Sequence, residues 1–119
     1  MTHLTAGEVL SQVDAMLPNQ YTAAEKLRWL AQAEGFVKRE IFHDRGVLSE
    51  MTTDTALCVP APYDEMYRHY IEAQIHYANA EMSRYNNAST AWNNAFLTYR
   101  DYHCRTVMPR FAAKTLRFC

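Results

Sequence analysis

Glycine occurs only three times in this 119-residue chain and proline four times. A β-rich fold spends those residues on its many tight turns, so their scarcity argues against one. With glycine only at positions 7, 35 and 46, no glycine-rich phosphate-cradling loop can be built. The three cysteines, Cys58, Cys104 and Cys119, are odd in number and far apart. They suit reduced thiols of a cytosol and have no zinc-ligand spacing. No run approaches the ~18 apolar residues of a membrane-spanning helix. The opening stretch, MTHLTAGEVLSQVDAML, lacks the basic-then-apolar order of a secretory signal. A formal net charge of −1 gives no global attraction to nucleic acid or to an anionic membrane. These absences lead to the expectation of a soluble, intracellular domain.

What is present is helical. Hydrophobic residues make up 49% and charged residues 21%, a globular rather than a disordered balance. One domain is expected, long enough for a core but short for a catalytic cleft of its own. Thr5 and Glu8 form a T-x-x-E capping box, and Val9, Val13, Met16 and Leu17 follow at helical spacing until Pro18-Asn19. A second box, Thr22 with Glu25, opens YTAAEKLRWLAQAEGFVKREIF. There Leu27, Leu30, Ala31, Glu34, Val37 and Ile41 share a face, with Trp29, Ala33 and Phe36 beside it. Gly35 inside this helix costs ~1 kcal/mol relative to alanine, which suggests the close approach of another helix.

Residues 44–61 have no helical period. Their pieces VLSEM and TALCV are expected to pair as a short hairpin, or to extend against a neighbouring subunit. Pro60 and Pro62 give an extended entry to a third helix, read as running from about Tyr63 to Tyr85. Its apolar-aromatic face comprises Tyr63, Tyr67, Tyr70, Ile71, Gln74, Tyr77, Ala78 and Tyr85. Asn86-Asn87 is read as the interruption before a fourth helix, about residues 88–107. That helix aligns Ala88, Trp92, Ala95, Phe96, Tyr99 and Tyr102. Pro109 stops it. The expected fold is all-α: a small bundle of about four helices with a long loop or short β-hairpin between helices 2 and 3. Residues 1–108 form the helical core of this single domain, and 109–119 a tail that can serve as an assembly arm.

Three chemistries merit weighing. Glu65, His69, Glu72 and His76 step by four, three and four along one stripe of the third helix, a spacing by which bundle residues can ligate metal. The order is His-x-x-Glu, however, and no second helix offers a matching set. A solvated or subunit-facing polar stripe is the better reading, with a metal-binding bundle using His69, Glu72 and His76 as the lesser alternative. Cys104 follows His103 directly, but neighbouring helical residues point apart, so no nucleophile-base pair arises. No enzymatic activity and no cofactor or metal is expected. Aromatic rings interleaved with Arg68, Arg84 and Arg100 suggest base stacking, yet Asp64, Glu65, Glu72, Glu81 and Asp101 offset them. From Arg105 onward Arg110, Lys114 and Arg117 meet no acid, which leaves the tail as the credible phosphate contact. A small helical nucleic-acid-binding or regulatory protein is therefore the alternative function.

Eight tyrosines, five phenylalanines and two tryptophans exceed what a small monomeric bundle needs. A tyrosine ring, apolar in body and polar at its tip, suits half-buried and interface positions. The expected subunit or partner contacts on the third and fourth helices are Tyr63, Tyr67, Tyr70, Tyr77, Tyr85 and Trp92. In the tail they are Arg110, Phe111, Lys114, Arg117 and Phe118.

Over roughly residues 10–110 the chain resembles the head-tail connector (head-completion, adaptor) proteins of tailed phages and prophages. The stretches PNQYTAAEKLRWL, VPAPYDEMY and AEMSRYNNASTAWNNAF carry the resemblance. It implies a virion structural protein, present in the host cytoplasm before assembly, that forms a homo-oligomeric ring beneath the portal and meets other head and tail proteins. It implies no catalytic residues, no membrane, and nucleic acid only through the nearby packaged DNA. The tail RFAAKTLRFC lies beyond the resemblance.

Overall fold

A computed structural model describes residues 3–43 and 51–107. Four helices follow in order: α1 (Ala6–Met16), α2 (Ala23–Glu40), α3 (Glu65–Ala78) and α4 (Met82–Val107). The chain is all-α, as its glycine-poor, periodic sequence implies. Both capping boxes begin helices. Thr5 Oγ1 accepts from the Glu8 N–H at 3.3 Å while Glu8 Oε1 accepts from the Thr5 N–H at 3.2 Å. Thr22 Oγ1 likewise accepts from the Glu25 N–H at 3.2 Å. Each cap of this kind contributes about 1 kcal/mol.

The α3 helix is central, packing against all three others. Its buried residues, Met66, Tyr67, Ile71, Ala73, Ile75 and His76, go well round the helix. The expected face is narrower than this: Tyr77 is 60% exposed, whereas Met66, Ala73 and Ile75 are core. A helix gripped from two sides buries more than one stripe. Val9 and Val13 of α1, Leu30 and Val37 of α2, and Ile41 just after α2 complete the interior, while Met16 stays outside. Each such fully buried apolar side chain contributes about 1.5–3 kcal/mol.

Residues 51–60 form no described hairpin; residues 47–50 of the expected partner strand lie outside the described residues. Instead the chain runs extended beside residues 3–7. The Leu57 N–H donates to the Leu4 carbonyl, the Ala6 N–H to Thr55 and the Gly7 N–H to Thr53, each at 2.9 Å. Thr5 and Ala56 form an antiparallel bridge. Two of the N–H groups that a helix leaves unpaired at its start are thus satisfied by the loop. Gly7 permits this closeness, because a Cβ there would sit 3.0 Å from the Thr53 carbonyl oxygen. Leu57 and Val59 then enter the core.

The third and fourth helices divide at Asn79–Glu81, not at Asn86-Asn87, which lies inside α4. The Glu81 N–H donates to the His76 carbonyl at 2.9 Å and the Ala80 N–H to Tyr77 at 3.1 Å, a Schellman closure. That closure puts Ala80 at φ 60°, the left-handed region that disfavours a Cβ. Replacing Ala80 with glycine is therefore expected to raise the unfolding free energy by about 0.5–1 kcal/mol in urea titration. A loss of stability would show that the turn does not adopt this geometry.

The 26-residue α4 is the least sequestered helix. Between residues 82 and 106 only Phe96, Tyr99 and His103 are buried. Asparagine, serine and threonine recur along it although each costs roughly 0.5 kcal/mol relative to alanine in a helix. Three threonines turn their hydroxyls back onto the helix. Thr90 donates to the Asn86 carbonyl at 2.9 Å, Thr98 to Asn94 at 2.8 Å and Thr106 to Tyr102 at 2.8 Å. Such bonds weakly oppose helix geometry rather than reinforce it.

Candidate functional site

Two features invite a functional reading: a buried polar cluster and a ladder of aromatic rings. The cluster centres on Glu34, which is 4% exposed on the inner face of α2. Its Oε1 accepts from the Tyr67 hydroxyl at 2.5 Å and the Cys58 thiol at 3.1 Å, and its Oε2 from the Cys58 N–H at 2.9 Å. The Tyr67 oxygen in turn accepts from the Val59 N–H at 3.3 Å. Polar groups from α2, the 51–60 segment and α3 thereby satisfy one another, as buried polar groups must.

The chemistry of this cluster is restrained. Burial, with Glu34 alongside, pushes the Cys58 thiol up to about 12 and the Tyr67 hydroxyl far above its ordinary value. A thiol held protonated is a poor nucleophile, since the thiolate is the reactive form. The geometry pins the backbone of Cys58 and Val59 rather than presenting a reactive group to solvent. Cys58 is a free thiol, as expected for a reduced protein. Cys104 is not free, which departs from that expectation.

The rings fall into three groups along the α3–α4 hairpin. At the turn, Tyr77 and Tyr85 lie 5.2 Å apart. Midway, Trp92 meets Tyr70 at 5.1 Å and Phe96 at 5.6 Å, and Phe36 of α2 packs on Phe96 at 4.9 Å. At the far end Tyr63 stacks on Tyr102 at 4.7 Å and touches Tyr99 at 5.4 Å, with Phe42 edge-on to His103 at 4.9 Å. Offset or edge contacts of this kind each add about 0.5–1.5 kcal/mol beyond burial. Phe36 is 45% exposed and Tyr77 60%, so the ladder is half open to solvent.

Of the residues expected at subunit contacts, Tyr63, Tyr70, Tyr85 and Trp92 are partly exposed and Tyr77 largely so. Tyr67 is 0% exposed, and its hydroxyl is committed to Glu34. It offers a partner nothing; its place is structural, because α3 turns it toward α2. Arg110, Phe111, Lys114, Arg117 and Phe118 lie outside the described residues. Phe36, packed on Trp92 and Phe96, belongs to the same surface and was not anticipated there; Met82, at the start of α4, is exposed as well. Phe36 is recognisable at the margin of the α2 face; nothing in the local pattern marks Met82.

The Glu/His stripe resolves into local pairs. Arg68 and His69 stand 3.5 and 3.8 Å from Glu72, and His69, with Arg68, holds its carboxyl below the usual carboxylate range. His76 meets Glu81 at 3.0 Å, and Arg84 meets the same carboxylate at 3.3 Å. Among the described residues no group of three or more His, Cys, Asp or Glu side chains converges on a common point. Arg68 and Arg84, two of the three arginines considered for base stacking, are thus engaged by carboxylates.

Elsewhere, Lys26 is buried and bound to Asp14 at 2.6 Å, a hydrogen bond that keeps the Asp14 carboxyl below its ordinary value. An open polar hollow is lined by Pro18, Asn19, Gln20, Tyr21 and Asn79, with the Tyr21 hydroxyl donating to Asn79 at 2.7 Å. Among the described residues no helix is long and apolar enough to cross a membrane. No family model, curated protein or solved structure matches the chain.

Proposed function

We propose that this chain is a non-enzymatic structural subunit that assembles with its own copies, of the head-tail connector kind its sequence resembles. In this reading it joins a ring beneath the portal of a tailed phage and contacts neighbouring head and tail proteins. The observation that carries it is the half-open aromatic ladder from Tyr77 to Tyr102 on a rigid helical hairpin. Rings of this type supply large contact area at small entropic cost, the property an assembling surface needs. The buried cluster adds support from the other side, since its thiol and phenol are held protonated and engaged.

Static light scattering and electron microscopy of the full chain, alone and mixed with the portal protein of its own phage, test the reading. Closed rings whose mass is a multiple of 13.8 kDa are expected, at least in the presence of the portal. A chain that stays monomeric in both conditions, and does not bind the portal, overturns it.

A further inference from the structure

We propose that His103 is a proton-operated latch: neutral, it holds the C-terminal end of α4 against the chain just past α2, and protonation releases that end. The inference concerns the fold of the single chain and does not rest on the assembly reading. His103 is 6% exposed, and its Nδ1 is buried without a hydrogen-bond partner. Phe42, two residues past α2, covers the ring edge-on at 4.9 Å. Tyr99, one turn earlier on α4, meets it at 6.2 Å.

This place suits a neutral imidazole and not a charged one. A neutral ring carries one proton and can keep it on Nε2, leaving Nδ1 a bare acceptor. A charged ring has an N–H at both nitrogens, so the Nδ1–H would be buried with nothing to receive it. The surroundings already lack an acceptor. Arg100, three residues earlier and so on the same side of α4, has its Nε buried and unpartnered too. Any acceptor within reach of this side would be taken by that donor. The groups that face His103 are Tyr99 and Arg100 from α4, and Phe42 and His43 from the end of α2. The described carboxylates nearest in sequence, Glu40 and Asp101, are exposed, and neither pairs with it. Burial first, then the His43 ring, hold His103 below the ordinary histidine value of 6.5.

The other histidines lack this property. Nδ1 of His3 donates to the Leu57 carbonyl at 2.8 Å, and Nδ1 of His69 and of His76 face Glu72 and Glu81 at 3.8 and 3.0 Å. His43 is exposed. A proton on His69 or His76 strengthens an existing contact, whereas one on His103 opposes the packing around it. An open end binds that proton at the ordinary histidine value and a closed end less readily. Closure is therefore favoured in full above about pH 6.5 and is lost as pH falls through that value. Asp14 and Glu72, held below their ordinary values of 3.8 and 4.5, lose their contribution only further down. Release of this end takes Tyr99 and Tyr102 away from Tyr63, so the far group of aromatic rings opens with it.

Hydrogen–deuterium exchange of the full chain at about pH 7.5 and about pH 5.2, on either side of the histidine range, tests the latch once corrected for intrinsic amide rates. The opened fraction read from residues 96–107 should rise about fivefold or more at the lower pH, the least that an N–H buried without an acceptor implies. The α1 amides should show no such rise. His103→Gln, whose amide cannot take a charge, should abolish the rise in 96–107. Should His103→Gln not fold, the titration of the wild-type ring, followed by the NMR shift of its C2 proton, decides in its place, with a midpoint below 6.5 expected. The proposal is overturned by a wild type whose exchange in 96–107 does not rise with acid. It is equally overturned by the same rise in a folded His103→Gln protein, or by a His103 midpoint at or above 6.5.

Discussion

Replacing Glu34 with alanine is expected to lower the unfolding free energy by about 3–5 kcal/mol, the range for breaking a buried charged network from one side. The loss does not come from the helix itself, in which alanine is the better former. It comes from three donors left behind: the Tyr67 hydroxyl, the Cys58 thiol and the Cys58 N–H all point at the vacated carboxylate. A buried donor without an acceptor costs about 1–3 kcal/mol, and a domain of this size has only about 5–15 kcal/mol in total. Glutamine at the same place should cost less, because its amide oxygen still accepts from one partner while its NH₂ opposes another donor. Removing only the Tyr67 hydroxyl, by phenylalanine, leaves Glu34 Oε1 with the Cys58 thiol alone and strands the Val59 N–H, and should cost about 2 kcal/mol. The Glu34→Ala/Tyr67→Phe double variant should then lose less than the sum of the single losses, since the two share one bond. Urea titrations of the wild type and these variants measure this directly; a Glu34→Ala loss under about 1 kcal/mol would mean the carboxylate is not the hub of the cluster.

That cluster also marks the boundary of what the sequence discloses. Glu34 stands among Leu30, Val37 and Ile41 on the apolar face of α2, so its burial was legible as an acid in a hydrophobic stripe. Its partners were not, because Cys58 and Tyr67 lie 24 and 33 residues further on and reach it only through the tertiary fold. The same distinction runs through the whole chain. The Thr5–Glu8 and Thr22–Glu25 boxes are local chemistry within one turn, and both begin helices. The inner stripe of α4, from Trp92 through Phe96 to Tyr99, is likewise a periodic signal that packing respects. The extended 51–60 segment pairs with residues 3–7, a choice no local pattern announces. Ala80 is a third case: alanine gives no hint of a left-handed turn, while Asn86-Asn87 looks like a break and is helical. Turn chemistry lost there to tertiary packing of α4 on α3. Of the expected contact surface, the aromatic content was readable from composition, but which rings point outward depends on how α3 is gripped.

Ile75 and Tyr77 provide the sharpest test of that grip. The residues are two apart on α3, and by helical spacing the aromatic face claims Tyr77 rather than Ile75. In the fold Ile75 is 1% exposed and Tyr77 60% exposed. Truncating Ile75 to alanine should therefore cost about 2–4 kcal/mol, for the lost burial and for the cavity left where α3 packs. Truncating Tyr77 to alanine should alter stability by no more than about 0.5 kcal/mol, since it gives up mainly the tilted contact with Tyr85 and gains helix propensity. Denaturation of the monomer at low concentration separates the two cleanly. Equal losses at both positions, or a larger one at Tyr77, would place α3 in a different rotation about its axis. The opposite order is expected in any assay of assembly. A ring that contributes little to the monomer's stability yet lies open to solvent is available for association, whereas Ile75 can affect association only through the fold. A Tyr77→Ala protein that keeps its melting temperature and loses oligomer would assign to this end of the hairpin the adhesive role its exposure suits.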